Sequence, residues 1–326
     1  MRIITVREAL NEAMSQEMAR DKTVILMGCD VAVRGNPFGV SKGLLQKLGP
    51  KRIIDTPISE AGFTGVGVGA AAMGLRPIVE ILYSDWITLA MDQIVNMAAK
   101  MRYMFGGNIE MPLVIRAPFG AGGGNAAQHS QSFEAWFNNV PGLKVAAPIT
   151  AYDLKGMLTT AIRDNNPVIF FEHKRAYQHK GEVPEEQYTV PFGKAAIRRE
   201  GKDITIVSYS MMALRSIEAA EELEKEGISC EVIDLRSLVP LDYDTVMESI
   251  RKTNRVVVAQ ESHLRGSLAS DIVAEIIDRG FDYLDAPPIR VGSLNVPMPY
   301  NIGLENMVVP NKETIKQAVY KALGNK

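Results

Sequence analysis

Cysteine is nearly absent from this sequence: 326 residues hold only Cys29 and Cys230. Two cysteines make no disulfide framework and suit a reducing compartment. Long hydrophobic runs are missing too. The best candidate, residues 61–75, covers 15 positions and is rich in glycine, short of the roughly 20 apolar residues that cross a bilayer. Charge of one sign is not in excess, with 36 Lys and Arg against 38 Asp and Glu, so no basic footprint argues for nucleic acid or an anionic membrane. The opening MRIITVREALNEAM has neither the apolar core of a signal peptide nor the Arg/Ser-rich character of a transit segment. The expectation is a cytoplasmic chain. Of the four histidines, His173, His179 and His263 show no pairing with cysteine or acid at metal-ligand spacing, so no zinc site is expected. There is no G-x-S-x-G nucleophile elbow.

What is present is ordinary globular material, 46% hydrophobic and 23% charged, enough for two domains at about 150 residues each. Val6, Ala9, Leu10, Ala13, Met14 and Met18 fall at helical spacing. Short apolar runs follow: TVILMG (23–28), RPIVEIL (76–82), PLVIRAP (112–118), LKVAAP (143–148) and PVIFFE (167–172). Helical candidates lie between them, notably Ser84–Met104 and Thr150–Asp164. Continuous apolar strands alternating with amphipathic helices predict a parallel sheet covered on both faces. The polar HKGEVPEEQYTVPFG (179–193) breaks the rhythm and reads as a linker. A second βα series then runs through DITIVSYS, a helix 213–226, SCEVIDLRSL, a helix near 245–252, RVVVAQES, a helix 268–279 and PIRVGS. The fold class is α/β, two doubly wound domains, 1–190 and 191–326.

Several stretches invite chemistry. Gly67-Val-Gly69-Ala-Ala-Ala72 matches G-x-G-x-x-A, but no strand leads directly into it and Glu80 comes too early for a ribose-binding acid. The ordinary alternative fits better: Gly62, Gly65 and Gly69, at steps of three and four, leave one bare helix face for a close helix or subunit contact. GAGGGN (120–125) lacks the Lys-Ser/Thr ending of a P-loop and reads as a mobile loop that places the residues after it. Glu60 stands at the mouth of the glycine helix, where a carboxylate complements the helix dipole. The same acid, on the rim of a close-packed apolar region, could instead exchange a proton with a bound heterocycle. His129, in AAQHSQSFEAWF, follows the glycine loop and precedes a helix that Ser130 could cap. A lone histidine is most often a surface or core residue, yet loops at the carboxyl ends of parallel strands are where such sheets keep catalytic groups.

Taken together, DTPISEAGFTGVGVGAAAMGLRPIVEI, AMDQIVNMAAKMRYMFGG, AAQHSQSFEAWF, PGLKVAAP, AIRDNNPVIFFE and CEVIDLRSLVPLD resemble the β subunits of thiamine-diphosphate-dependent 2-oxo acid and acetoin dehydrogenases, along essentially the whole chain. The resemblance implies a pyrimidine-binding α/β domain followed by a transketolase C-terminal-type domain. It implies that Glu60 hydrogen-bonds a ring nitrogen of the cofactor pyrimidine and so promotes loss of the thiazolium proton, the cofactor itself being the electron sink. His129 would orient substrate and assist acyl transfer to a lipoyl group, and Trp86 would pack on the pyrimidine, where Tyr or Phe is usual in the family. A structural potassium ion would be held largely by backbone carbonyls of Leu113, Ala161, Asp164 and Asn166, although Asp-Asn-Asn before Pro167 is also a natural helix stop.

Two departures stand out: GCDV, with Cys29 in place of the usual glutamate, and SHLRGS, with Ser267 in place of a second glycine. One absence carries weight. The family's magnesium and diphosphate motif, Gly-Asp-Gly with a distant asparagine, is nowhere in this sequence. The resemblance therefore implies an α subunit that supplies the Mg2+ site, in an assembly of two α and two β chains. It also implies a lipoyl-bearing acyltransferase that receives the acyl group. Pyruvate, a branched 2-oxo acid or acetoin would be the substrate. A noncatalytic subunit of the same fold, half of a split transketolase and a free-standing NAD-dependent dehydrogenase are the alternatives; the first is disfavoured by the presence of both Glu60 and His129, the second by AQHSQS, the third by the misplaced glycine motif.

Overall fold

A computed structural model of the chain describes residues 1–324. In chain order its elements begin with β1 (Arg2–Thr5), α1 (Val6–Arg20), β2 (Val24–Gly28), α2 (Leu44–Leu48), β3 (Ile53–Asp55), α3 (Glu60–Ala72) and β4 (Arg76–Glu80). Next come α4 (Ala99–Met104), β5 (Val114–Phe119), α5 (Glu134–Asn138), β6 (Lys144–Ala146), α6 (Ala151–Arg163), β7 (Val168–His173) and β8 (Lys180–Val183). The remainder is β9 (Ala196–Arg199), β10 (Ile204–Ser208), α7 (Met211–Glu224), β11 (Cys230–Asp234), β12 (Ser237–Val239), α8 (Tyr243–Thr253) and β13 (Val256–His263), then α9 (Leu268–Gly280), β14 (Ile289–Ser293), α10 (Ile302–Val308) and α11 (Lys312–Leu323). Two compact units result. The first is Met1–Phe119 with Trp136–Phe192; the second is Gly120–Ala135 with the chain from Gly193 onward.

In the first unit the parallel strands run in the order β6-β7-β5-β4-β2-β3. β2, β5 and β7 are buried at every position, as continuous apolar strands covered on both faces should be. The helical stripe of α1 is buried as spaced, from Val6 to Met18, and Thr5 with Glu8 closes a capping box at its start. Glu17, on the same stripe, is fully buried and accepts both arms of Arg163 at 2.6 and 2.9 Å, tying α1 to α6. Thr150 caps α6 by accepting from the Asp153 amide at 3.1 Å.

Two expectations need correction. Ser84–Met104 is not one helix: a 3-10 stretch (Ser84–Ala90) and a π-helical stretch (Gln93–Ala98) precede α4. Buried Ser84, Ile87 and Ala90 repeat every three residues, the period of a 3-10 turn rather than of an α-helix. Nor is 179–193 simply a linker. Residues 180–183 form β8, paired antiparallel with β1, its polar sequence suiting an exposed edge. The next turn is tied down by the buried Lys155 ammonium, which donates to the carbonyls of Pro184, Glu185 and Glu186.

The second unit holds the sheet β14-β13-β10-β11-β9, parallel except for β9, an antiparallel edge strand that lacks a clear apolar run. Ile204, Ile206, Val232, Val257 and Ala259 form its core with Met212 and Leu223 of α7 and Ile315 and Val319 of α11. Ser267 acts locally, its hydroxyl accepting from the Ser270 amide and so capping α9.

Candidate active site

Glu60 is the first residue of α3, in whose first turn a carboxylate complements the helix dipole, while Ser59 is the N-cap and makes no side-chain capping bond. At 6% exposure the Glu60 carboxyl accepts no hydrogen bond from any of the described residues. Its oxygens are not among the side-chain atoms sealed from solvent without a partner, so the carboxyl stays open to water or a ligand. Its neighbours come from the carboxyl ends of β2 and β3. Cys29 follows β2, and its Sγ lies 3.5 Å from the Pro57 carbonyl and 3.8 Å from the Thr56 hydroxyl. Burial pushes the Cys29 thiol up, and the nearby Glu60 carboxyl adds to that shift. The carboxyl ends of parallel strands are where open α/β sheets bind ligands. An acid left without a protein donor there fits a nitrogen heterocycle that needs one hydrogen-bonding carboxyl.

Trp86 sits half-buried in the 3-10 stretch, which packs against α3. It is not helix core. Its ring meets Tyr83 edge-on at 5.1 Å, Tyr83 meets Phe38 at 5.8 Å, and Phe38 meets Tyr177 at 5.0 Å. Such a row of rings forms an apolar shelf with specific packing geometry.

The glycine helix shows two faces. A Cβ on Gly67 would come within 2.6 Å of the Val79 methyl, so only glycine fits against β4. Gly62 and Gly69 are exposed, and a Cβ on Gly69 would meet nothing within 4 Å. Beside them Ile58, Val66 and Met73 are 61–86% exposed.

Leu113, Ala161, Asp164 and Asn166 lie around the C-terminal end of α6 and the start of β7. The Leu113 carbonyl accepts from Val168 at 2.8 Å, that of Ala161 from Asp164 at 3.2 Å, and that of Asp164 from Arg76 at 2.9 Å. Burial opposes ionisation of Asp164, but hydrogen bonds from Lys144 and Asn166 hold it below the usual carboxylate range. Oxygen-only donors at a helix C-terminus suit a hard monovalent cation, and the Arg76 guanidinium already uses one of them. Among the described residues no group of three or more His, Cys, Asp and Glu could hold a metal.

In the second unit, three amides of GAGGGN already have carboxylate acceptors. Ala121 donates to Glu261 at 2.6 Å, Gly122 to Glu305 at 2.8 Å and Gly124 to the other Glu305 oxygen at 3.0 Å. His129 follows, partly exposed. Ser130 does not cap a helix; its buried hydroxyl has no hydrogen-bond partner. Glu134 is fully buried, and burial pushes its carboxyl up to about 8, with Glu261 adding to the shift. The Tyr209 hydroxyl lies beside it without reaching hydrogen-bonding geometry.

Sequence reasoning passed over Glu134, Glu261 and Glu305, and it also missed a charged cluster in the first unit. Arg116, unexposed, reaches Glu80 at 2.5 Å, and Asn36 donates to the other Glu80 oxygen at 2.6 Å. One signal was available: Glu80, Arg116 and Glu172 each interrupt an otherwise apolar buried strand, and Glu80 and Arg116 sit directly opposite in register.

Comparison with known proteins bears on the fold and the family. Residues 2–180 match the transketolase pyrimidine-binding domain and residues 193–315 the transketolase C-terminal domain. The chain is 45% identical, over 99% of its length and 98% of the relative's, to the β subunit of acetoin:2,6-dichlorophenolindophenol oxidoreductase of Bacillus subtilis. It is 48% identical, over 98% of both chains, to the pyruvate dehydrogenase E1 component β subunit of Rickettsia felis. Among solved structures, a split-gene transketolase described as an inactive β4 tetramer superposes with a TM-score of 0.81 at 26% identity, covering 99% of each chain. A transketolase pyrimidine-binding domain followed by a transketolase C-terminal domain, at such identity over nearly full length, places this chain in the family of β subunits of the thiamine-diphosphate-dependent 2-oxo acid and acetoin dehydrogenases.

Proposed function

We propose that Glu60 is the group through which this subunit activates its cofactor, and that the chain works as the catalytic partner of an α subunit. The observation that carries this is the Glu60 carboxyl, without a protein donor and left open at the carboxyl ends of parallel strands. Thiamine diphosphate, when bound, supplies the electron sink for decarboxylation. Glu60 would hold a proton at a pyrimidine ring nitrogen. Trp86 would close one side of the pyrimidine pocket with Tyr83 behind it. His129 would stand at the substrate end, orienting a 2-oxo acid or acetoin and assisting transfer of the acyl group to a lipoyl-bearing acyltransferase.

The diphosphate and Mg2+ would be held by the α subunit. Support comes from the lack of a Gly-Asp-Gly motif and from a glycine loop whose amides are taken by Glu305. The exposed face of α3 would pack against another subunit, two α and two β chains forming the component. Leu113, Ala161, Asp164 and Asn166 would bind K+ through oxygen atoms. No helix among the described residues is long and apolar enough to cross a membrane. The complex would work in the cytoplasm, whose reducing conditions suit the two free cysteines.

The reading is tested by co-expressing the chain with the α subunit of its own host and following reduction of an artificial electron acceptor. Pyruvate, branched 2-oxo acids and acetoin are supplied in turn, with thiamine diphosphate and magnesium. Turnover with one of them supports the reading and names the substrate. A folded, cofactor-loaded complex that turns over none of them, but transfers a two-carbon ketol unit between sugar phosphates, would make it a split transketolase.

A further inference from the structure

The segment carrying His129 is five residues removed from a run with four glycines, Gly120, Gly122, Gly123 and Gly124. Left alone, such a run is the most conformationally free backbone a chain can offer. In the structure it is fixed from three directions. Its base is closed by the Gly120 amide donating to the Gln131 carbonyl at 3.4 Å. Its first amide, Ala121, is held by Glu261 of β13, 5% exposed. Its middle is held by Glu305 of α10, which has no exposed surface and spends one oxygen on Gly122 and the other on Gly124. Gly124, at φ +64°, presses so closely on the segment before α10 that a Cβ would meet the Tyr300 carbonyl and Ile302 at 3.2 Å. Ala126 is kept at φ +60°, a conformation that a residue with a Cβ adopts only when its surroundings impose it.

We infer that Glu305 is a positioning residue for His129: its buried carboxylate fills the anion-binding concavity of the glycine loop and sets the path of the backbone from which the histidine projects. Successive amides turned inward on a glycine-rich loop form a nest that receives an anion. Here the anion is part of the protein, some 180 residues away in sequence, and the bonds are of the charge-assisted kind. Glu261 is the second clamp. The inference rests on the reading of His129 as a group that acts on substrate, because a loop with nothing to present would have no need of such precision.

The test uses the assembled complex of α and β chains with thiamine diphosphate and magnesium. In Glu305→Gln one of the two acceptors becomes an amide donor facing an N–H. Hydrogen exchange across 120–131 should then rise about tenfold or more while exchange in β10 stays as in the wild type, since the loop opens without the core. Turnover should fall about tenfold with KM for the 2-oxo acid little changed, and the same substitution in a His129→Ala background should cost almost nothing further, as expected of residues acting in series. Should Glu305→Gln fail to assemble, Glu261→Gln loosens the Ala121 end of the same loop and is read in the same way. Unchanged exchange at 120–131, or a turnover loss that is undiminished in the His129→Ala background, overturns the inference while leaving the role of His129 intact. Wild-type turnover in His129→Ala alone removes that role, and the inference with it.

Discussion

Arg116 grips Glu172 through two parallel hydrogen bonds, Nε to Oε1 at 2.7 Å and Nη2 to Oε2 at 2.8 Å, with neither side chain exposed. The third arm of Arg116 goes to Glu80, and Tyr177 donates to Glu172 at 2.9 Å. Burial works against the charge on Arg116, but the two carboxylates overcome it and hold the guanidinium above its ordinary value. Three adjacent strands, β4, β5 and β7, are thereby joined, and Tyr177 ties the cluster to the aromatic row through Phe38.

Removing one partner of such a cluster leaves a buried charge unpaired, which costs about 3–5 kcal/mol. Arg116→Met is therefore expected to lower the midpoint of thermal or urea unfolding sharply. A variant within about 1 kcal/mol of the wild type would mean that water reaches the two carboxylates.

Glu134 gives a pH dependence of definite sign. Its folded-state value near 8 lies above the ordinary 4.5, so the unfolded chain releases the proton first as pH rises. The stability this group contributes is complete below about pH 4.5 and is lost progressively up to about pH 8, beyond which the loss levels off. Glu134→Gln mimics the neutral form and removes that loss. The variant should match the wild type at about pH 5 and exceed it by a few kcal/mol at about pH 8. Equal stabilities at both pH values would show that Glu134 is ionised beside Tyr209 and Glu261.

The two faces of α3 should respond oppositely to an added methyl group. Gly67→Ala drives a Cβ into Val79 and should destabilise the subunit by about 1–3 kcal/mol. Gly69→Ala meets nothing within the chain and should raise helix stability by up to about 1 kcal/mol. If another subunit packs on that face, Gly69→Ala will at the same time weaken assembly, as read by sedimentation of the mixed α and β chains. Gain of stability with unaltered assembly would place the subunit contact elsewhere.

Glu60→Gln keeps the shape of the side chain and removes its ability to hold a proton. Positioned acid–base groups are worth about 10²–10⁴ in rate, so turnover in the assembled complex should drop by at least about a hundredfold with the melting temperature preserved. Retention of more than half the wild-type rate would end the assignment.

Exchange of K+ for choline is expected to lower stability if Leu113, Ala161, Asp164 and Asn166 bind the ion. At a concentration about a hundred times the dissociation constant the contribution is about 2.7 kcal/mol. The decisive comparison is a melting curve in K+ against choline at equal ionic strength; superimposable curves would mean that no K+ binds at this cluster, whose Asp164 carbonyl is already held by Arg76.

Much of this architecture is legible in the sequence because buried parallel strands are short apolar runs and α1 carries an unbroken helical stripe. What escaped does so for identifiable reasons. β8 is an edge strand, so KGEV has no apolar alternation to betray it. The stretch after Ser84 packs with a period of three and then loosens into a π-helix, while composition there favours an ordinary helix throughout. Glu60 and His129 can be singled out as candidates from their places at a helix mouth and after a glycine loop, but their roles, and Trp86 altogether, come only through motif resemblance. Glu305 could not be found by either route: its importance arises from a contact with Gly122 and Gly124 across most of the second unit's sequence, and nothing local to GLENMV announces it.

The occupied loop also bears on how the subunit can be handled. Since Glu305 already takes the Gly122 and Gly124 amides, inorganic phosphate at buffer concentrations will find no foothold there, and phosphate-mimicking resins or inhibitors will gain no selectivity from it. A small molecule aimed at this β chain would do better to exploit the aromatic row of Trp86, Tyr83 and Phe38, whose half-buried indole offers apolar surface.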